Sequence, residues 1–267
     1  MTESQKDLTE LATDGEDSPS FRARGIYLLP NLFTSAALFS GFYAIVSAMN
    51  FNYEQAAIAI FIAMVLDGLD GRVARMTNTQ SAFGAEYDSL SDMVSFGVAP
   101  ALIIYVWALK PLGKLGWIAA FIYCACAALR LARFNTKVED PFQDKRFFQG
   151  LPSPAAAALI AGFVWVSYEY GISGREIFFG AIKMQWLAWG VTVFAACSMV
   201  SDFSFYSGKD INLKKSVPFV AILAIVLAFV LISYSPPEVL FSIFLLYGLS
   251  GYYFWIRSKI KGDKKPE

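Results

Sequence analysis

Histidine is absent from this chain of 267 residues, and cysteine is scarce, with three residues. The lack of histidine excludes catalytic triads and nucleophiles that depend on an imidazole, and it removes most zinc sites. Cys124 and Cys126 lie in one apolar run and Cys197 in another, which indicates buried apolar side chains and no disulfide framework. Net charge is also absent, because 22 Lys and Arg residues balance 22 Asp and Glu residues. No basic field therefore points to a nucleic-acid partner.

Charged residues are few, at 16% of the chain, whereas hydrophobic residues make up 56% and the mean hydropathy is +0.48. This composition is typical of membrane proteins. Apolar segments long enough, or nearly long enough, to span a bilayer occur eight times, so we predict an all-α, polytopic transmembrane helix bundle. The segments are residues 32–49, 55–75, 93–109, 115–133, 154–170, 185–201, 217–233 and 239–256.

The two ends of the chain differ from this membrane domain, which we place at residues 21–256. Residues 1–20 are polar, have no apolar period and predict a disordered tail without a secretory signal. Residues 21–29 mix Arg with Ile, Tyr and Leu, and they fit either a short amphipathic helix along the interface or a linker. Residues 257–267 form a basic tail.

The distribution of positive charge among the loops predicts the orientation of the bundle. With eight spans, all but four of the 22 Lys and Arg residues fall on one side of the membrane. The four exceptions are Lys110, Lys114, Arg175 and Lys183. Because cytoplasmic loops carry the excess of Lys and Arg, we predict that both termini are cytoplasmic.

Four aspartates stand at the ends of predicted apolar segments. Asp67 and Asp70 are three positions apart and Asp88 and Asp92 are four apart, so within helices each pair projects from one face. Two such helices would present four carboxylates to one point. Gly71, Ala74 and Arg75 share the face of the first pair, and together they leave room for a bulky anionic ligand.

These acids need a positive partner at a membrane boundary. Four uncompensated carboxylates at mid-bilayer would cost about 10 kcal/mol, which is comparable to the stability of a whole domain. Oxygen ligands without Cys or His suit Mg²⁺, Mn²⁺ or Ca²⁺, and two clustered divalent ions can clamp a phosphoryl group during displacement. The sequence therefore predicts a two-metal phosphotransfer site in a membrane, open to the cytoplasm.

The complete pattern resembles the signature of the CDP-alcohol phosphotransferase family at every fixed position. Those positions are Asp67, Asp70, Gly71, Ala74, Arg75, Gly84, Asp88 and Asp92. The flanking segments resemble the branch of that family formed by membrane-embedded phosphatidylserine synthases. They are residues 30–34 (PNLFT), 83–97, 129–135 and 148–155, and the likeness covers about residues 30–157.

The resemblance implies a six-helix core with two further spans, a homodimer, and transfer of a phosphatidyl group from CDP-diacylglycerol to L-serine with release of CMP. It implies that Asp67, Asp70, Asp88 and Asp92 hold two Mg²⁺ or Mn²⁺ ions and that Asp92 also acts as general base. It further implies a binding site for the CDP-linked lipid. The residues expected there are Asn31, Thr34, Gly71, Ala74, Arg75, Asn78, Ser81 and Gly84.

The acceptor site is the least specified by the pattern. Serine carries a carboxylate and an ammonium group, so its site should offer Arg for one and an acid or carbonyl for the other. Arg130 and Arg133 end a predicted span and are the main candidates, although the same residues also fit topology-setting charges that contact lipid headgroups. Secondary candidates, supported chiefly by the resemblance, are Glu86, Ser95, Asn135 and Gln149.

Two other functions stay open at this stage. The same chemistry can use another acceptor, such as choline, glycerol 3-phosphate or an inositol phosphate, or an ether-lipid donor. A phosphorylated acceptor needs a denser basic cluster, which the basic residues from Arg130 to Arg146 would supply. A cation transporter is the alternative of a different class, because intramembrane carboxylates line ion pathways, but this chain concentrates its acids at one point and has no matching half.

Overall fold

The computed structural model describes residues 21–137, 147–174, 177–178, 182–206 and 219–261. The predicted disordered tail, residues 1–20, lies outside the described residues, and so do residues 262–267 of the predicted basic tail. Helices dominate the described part of the chain. In order they are α1 (Phe21–Met49), α2 (Tyr53–Thr77), α3 (Ala82–Asp92), α4 (Ala99–Ile104), α5 (Lys114–Lys137), α6 (Ser153–Glu169), α7 (Met184–Val200), α8 (Phe219–Tyr234) and α9 (Pro236–Lys261).

The predicted apolar segments coincide with this helical backbone. Only the end residues Tyr170 and Ser201 follow their helices, and residues 217–218 lie outside the described part. Residues 21–29 are the beginning of α1 and not a separate element, and α9 continues past the predicted boundary at residue 256 as far as Lys261.

Within the described residues, four helical segments are long and apolar enough to cross a membrane. They are Leu29–Met49, Ala82–Leu112, Lys114–Thr136 and Pro236–Arg257. A further apolar helix, Met184–Val200, is shorter. The helical class of the fold is therefore confirmed, whereas the count of eight spans and the cytoplasmic position of the termini stay predictions.

An interrupted helix carries the second aspartate pair into the bundle. A π-helical turn, Met93–Val98, joins α3 to α4, and a second one, Tyr105–Leu109, follows α4. Such turns break the regular hydrogen-bond ladder and occur often at functional sites. The buried hydroxyl of Tyr123 on α5 donates to the carbonyl of Phe96 inside the first turn at 2.9 Å. Helix α5 thus supports the irregular backbone that begins directly after Asp92.

Helix α1 holds this interrupted helix from the other side. The Ser91 hydroxyl donates to the Thr34 carbonyl at 3.1 Å, and the Ser95 hydroxyl donates to the Ala37 carbonyl at 3.1 Å. A Cβ atom at Gly41 would collide with Ser95, so a glycine at this position permits the close approach of the two helices. Because α1 also packs along α2, these contacts set α3 against the end of α2.

Helix α6 is the centre of the bundle and contacts α2, α7 and α9. Its residues Ala156, Ala157, Ala158 and Ala161 have no exposed surface. Small side chains let neighbouring helix backbones approach closely, which is the usual mode of helix packing in membranes. This close packing, together with the hydrogen bond from Arg130 of α5 to Ser153, fixes the start of α6 beside the end of α5.

Two short antiparallel strand pairs lie between the helices, and the sequence analysis missed both. β1 (Phe147–Gln149) pairs with β4 (Ser204–Tyr206), and β2 (Ile177–Phe178) pairs with β3 (Ile182–Lys183). Strands of two or three residues are too short to show an alternating pattern, and helix packing decides which loops meet. The first pair matters for the site because it fixes the segment before α6 against the segment after α7.

Candidate active site

Two helix ends bring the predicted metal ligands together. Asp67 and Asp70 lie in the last three turns of α2, and Asp88 and Asp92 lie at the end of α3. One carboxylate oxygen from each of Asp67, Asp70 and Asp88 lies within 4.8 Å of the other two. Asp92 interacts electrostatically with all three of them. Three of the four acids that the spacing predicted to converge therefore meet within 4.8 Å, and the fourth interacts with that group.

This carboxylate cluster has the chemistry of a cation site. The Oδ1 atom of Asp88 is buried and makes no hydrogen bond within the described part of the chain. Asp70 is also buried, and like charges at this separation repel each other strongly. Oxygen ligands alone suit Mg²⁺ or Mn²⁺ better than zinc, so the residues present fit a divalent ion. Convergence on one point also argues against a path of acids through a transporter.

Helix α1 supplies a support for the cluster. The hydroxyl of Thr34 donates to Oδ2 of Asp70 at 2.8 Å and also lies 3.1 Å from the carbonyl oxygen of Pro30. Thr34 is buried, so this contact is shielded from water. The sequence placed Thr34 at the CDP-linked lipid, whereas the structure shows it bonded to a predicted metal ligand.

The glycines of the motif differ in their surroundings. A Cβ atom at Gly71 would meet nothing within 4 Å, so the space beside this turn of α2 is open to a ligand. A Cβ atom at Gly84 would lie 3.4 Å from Oδ1 of Asn31, so Gly84 lets α3 pack closely against α1. Ser81 caps α3 by accepting a hydrogen bond from the Gly84 amide at 3.0 Å.

The remaining residues expected at the CDP-linked lipid lie on or just after α2. Ala74 is half-buried and Arg75 is exposed in the last turns of the helix. Asn78 follows as the left-handed C-cap, with a φ of 53°. Asn tolerates this conformation better than most residues, which explains its place at the end of the helix.

Arg130 connects the acid cluster to the end of α5. Its guanidinium interacts electrostatically with Asp92, and its Nη1 atom donates to the hydroxyl of Ser153 at 2.8 Å. Its Nε atom is buried and makes no hydrogen bond within the described residues. An Arg that sits beside the predicted base with an unused donor is suited to bind an anionic group of a substrate.

Arg133 and Gln149 meet at an acid that the sequence analysis did not single out. The Nη2 atom of Arg133 donates to Oδ1 of Asp202 at 2.8 Å, and Nε2 of Gln149 donates to the same oxygen at 2.7 Å. Asp202 follows α7 and directly precedes the segment that leads into β4. The only sequence signal for it was a lone acid after an apolar segment, and its contacts depend on the pairing of β1 with β4.

The other acceptor candidates are placed differently. Asn135 is bonded to Ser89 on α3, with Nδ2 of Asn135 donating at 2.9 Å. Ser95 is fully buried and its hydroxyl is used in the contact with α1. Glu86 is exposed on α3. The structure thus groups Arg133 and Gln149 through Asp202, bonds Arg130 to Ser153, and gives Ser95 a packing contact.

Comparison with known proteins agrees with the geometry of this site. The family model described as CDP-alcohol phosphatidyltransferase matches residues 27–196. A protein of Helicobacter pylori strain J99 named CDP-diacylglycerol–serine O-phosphatidyltransferase is 36% identical over 244 residues, which cover 88% of this chain and 94% of that protein.

Relatives in two further organisms carry the same name. The protein of Mycobacterium leprae is 35% identical over 80% of this chain and 70% of its own length. The protein of Methanocaldococcus jannaschii is 46% identical over 43% of this chain and 52% of its own length. Because the family model matches residues 27–196, this chain belongs to the CDP-alcohol phosphatidyltransferase family.

Proposed function

We propose that this protein transfers the phosphatidyl group of CDP-diacylglycerol to the hydroxyl group of L-serine, giving phosphatidylserine and CMP. The observation that carries the proposal is the cluster of Asp67, Asp70 and Asp88, whose carboxylate oxygens lie within 4.8 Å of each other beside Asp92. The names of the relatives supply the donor and the acceptor.

The proposed reaction is a displacement at phosphorus. The serine hydroxyl oxygen forms a bond to the phosphorus of the phosphatidyl group, and its proton passes to the carboxylate of Asp92. The bond from that phosphorus to the bridging oxygen breaks, and CMP leaves with the electron pair. Two divalent ions held by Asp67, Asp70, Asp88 and Asp92 would neutralise the diphosphate and the charge that develops on CMP.

The CDP-linked lipid is proposed to lie against the open side of α2. A Cβ atom at Gly71 would meet no described residue within 4 Å, which supports close approach of the diphosphate there. Ala74 extends the same surface of small side chains. Arg75 is exposed and suited to pair with phosphate. Asn31, Asn78, Ser81 and Gly84 surround the turn between α2 and α3, and they are proposed to contact the nucleotide.

Helix-end residues on α5 are proposed to receive the acceptor. Arg130 is the candidate for the serine carboxylate because its Nε atom is unused and it lies beside Asp92. A phosphorylated acceptor would need more positive charge at this end of α5. Asp202 instead places a negative charge beside Arg133, which favours a zwitterionic acceptor over glycerol 3-phosphate or an inositol phosphate.

The proposal also includes the membrane topology and assembly that the sequence predicts. Eight spans with cytoplasmic termini would open the acid cluster to the cytoplasm, where CDP-linked lipids and serine meet. A homodimer is part of the proposal on the strength of the family resemblance. Cysteine accessibility at the loops and the mass of the detergent-solubilised protein would test these two points.

The test is CMP release from CDP-diacylglycerol by the purified full-length protein with Mn²⁺ or Mg²⁺. L-Serine is compared with choline, glycerol 3-phosphate and inositol 1-phosphate, and Asp92→Asn is assayed alongside. We expect serine-dependent release that the variant and EDTA both abolish. Release with another acceptor alone would overturn serine as the substrate, and no release with any acceptor would overturn the enzymatic proposal.

A further inference from the structure

A second charged cluster lies at the end of α5, outside the metal site. It consists of Arg130, Arg133, Gln149 and Asp202, and we call it the α5-end cluster. Arg130 and Arg133 are three positions apart, so they share one face of α5 and their backbones differ by about 4.5 Å along the helix axis. Asp202 receives hydrogen bonds from Arg133 and Gln149 through one oxygen.

One member of the α5-end cluster interacts with the predicted base. That member is Arg130, whose guanidinium interacts electrostatically with Asp92. Arg133 lies one turn further toward the end of α5, and Asp202 is bonded to it. Asp202 is therefore bonded at the end of α5, on the helix face that Arg130 and Arg133 share.

This arrangement matches the three polar groups of serine. If the hydroxyl is at Asp92 and the carboxylate is at Arg130, the α-ammonium group needs an anion within a few ångströms of Arg130. An ammonium group without such a partner would lose its hydration without compensation. Asp202, which follows α7, supplies an acidic side chain bonded to Arg133 at the end of α5.

The other acids in the described residues are poorly placed for this role. Asp67, Asp70 and Asp88 form the predicted metal site. Glu54 begins α2 and Glu169 ends α6, at the ends of those helices away from the cluster. Glu238 is in the first turn of α9, and Glu86 lies on α3. Among the acids of the described residues that the metal site does not use, Asp202 is the one whose carboxylate accepts a hydrogen bond from an arginine of α5.

We propose that Asp202 binds the α-ammonium group of the acceptor, so that it selects an amino alcohol bearing a carboxylate. This inference rests on the proposed serine transfer. Arg133 and Gln149 hold the Asp202 carboxylate in position, and 63% of the Asp202 side chain is exposed, so a small solute reaches it from water. Arg130 and Asp202 together recognise a zwitterion, whereas choline would leave Arg130 without a partner.

A purely structural role predicts something different. Arg133 and Asp202 are partly exposed, and ion pairs of that kind contribute little to folding stability. If Asp202 only supported the local structure through Arg133, its loss would weaken acceptors with and without an ammonium group to the same extent. If Asp202 binds the ammonium group, its loss weakens only those molecules that carry one.

The test uses Asp202→Asn in the full-length protein with serine and two analogues that each lack one charged group. 3-Hydroxypropanoate is serine without the ammonium group, and ethanolamine is serine without the carboxylate. We measure kcat and KM for L-serine, and the inhibition constant of each analogue, by CMP release. Glu54→Gln makes the same acid-to-amide change on an exposed residue far from the α5-end cluster and serves as the matched control.

We expect Asp202→Asn to raise the KM for L-serine by about 10- to 100-fold, the loss of one hydrogen-bonded charge pair. The inhibition constant of ethanolamine should rise by a similar factor, whereas that of 3-hydroxypropanoate should change less than twofold. Asp202→Glu keeps the charge and should recover part of the loss, which tests the proposal even if an analogue binds too weakly to measure.

Three results would overturn the proposal. The KM for serine could stay within twofold of the wild type, 3-hydroxypropanoate could weaken by the same factor as serine, or Asp202→Glu could be no better than Asp202→Asn. These outcomes differ from failure of the proposed function, in which the wild type itself would release no CMP in response to serine.

Discussion

Replacing Asp88 with Asn should stabilise the metal-free protein and abolish its response to metal. The carboxylate oxygens of Asp67, Asp70 and Asp88 lie within 4.8 Å of each other, and at an effective dielectric constant of 20 two charges at that distance repel by about 3.5 kcal/mol. Asp88 takes part in two of the three pairs, so with all three acids ionised the substitution removes about 7 kcal/mol of repulsion. It also replaces the carboxylate, whose buried Oδ1 atom lacks a partner within the described residues, with a neutral amide.

The expected gain in the free energy of unfolding is smaller than this repulsion, because protons and counter-ions relieve part of it in the metal-free wild type. A net gain of about 1 to 2 kcal/mol would raise Tm by about 2 to 8 °C for a chain of this size. Metal should act in the opposite direction: at 100 times its Kd, Mn²⁺ would stabilise the wild type by about 2.7 kcal/mol and the variant much less.

The assay is thermal unfolding of the purified protein in detergent, with EDTA and then with Mn²⁺, and CMP release is measured in parallel. Glu54→Gln serves as the control, because it also converts an exposed acid to an amide but lies at the start of α2. The reasoning would be refuted if Asp88→Asn were less stable than the wild type in EDTA and still gained the full stabilisation from Mn²⁺.

Three further substitutions test the supports of the site. Thr34→Val removes the 2.8 Å hydrogen bond to Asp70 and should raise the Mn²⁺ concentration for half-maximal CMP release by about 10-fold or more; an unchanged metal requirement would contradict that role. Tyr123→Phe removes the hydroxyl that donates to the buried Phe96 carbonyl, so it should lower the free energy of unfolding by about 1 to 3 kcal/mol, measured by thermal unfolding. Equal stability of the variant and the wild type would show that the π-helical turn needs no such support. Arg130→Lys keeps the charge but loses the planar donor set, so the KM for serine should rise at least about 10-fold while the Mn²⁺ requirement stays the same; a shift in the metal requirement alone would place Arg130 with the metal and not with the acceptor.

Local sequence patterns were sufficient for the helices and for the helix face that each aspartate pair shares. The spacing of Asp67 and Asp70, and of Asp88 and Asp92, places each pair on one helix face whatever the rest of the fold does. Apolar runs of membrane length likewise form helices, because a backbone in lipid must satisfy its own hydrogen bonds. These features depend on residues close together in the chain, and they were predicted correctly.

The acceptor end of the site depends on contacts between distant residues. Asp202 meets Arg133 because α5 packs against α7, and Gln149 reaches the same carboxylate because β1 pairs with β4. Thr34 lies far from Asp70 in the chain, and only the packing of α1 along α2 brings them to 2.8 Å. No periodicity or local motif encodes such distances.

The sequence by itself therefore determined that this is a helical membrane protein of the CDP-alcohol phosphatidyltransferase family with two aspartate pairs, each on one face of a helix. Only the tertiary structure decided which side chains support those aspartates and which acid joins the arginines of α5. The physical reason is that helix formation and face periodicity are local properties of the chain. Hydrogen bonds such as those of Thr34, Tyr123 and Asp202 exist only after whole helices have packed.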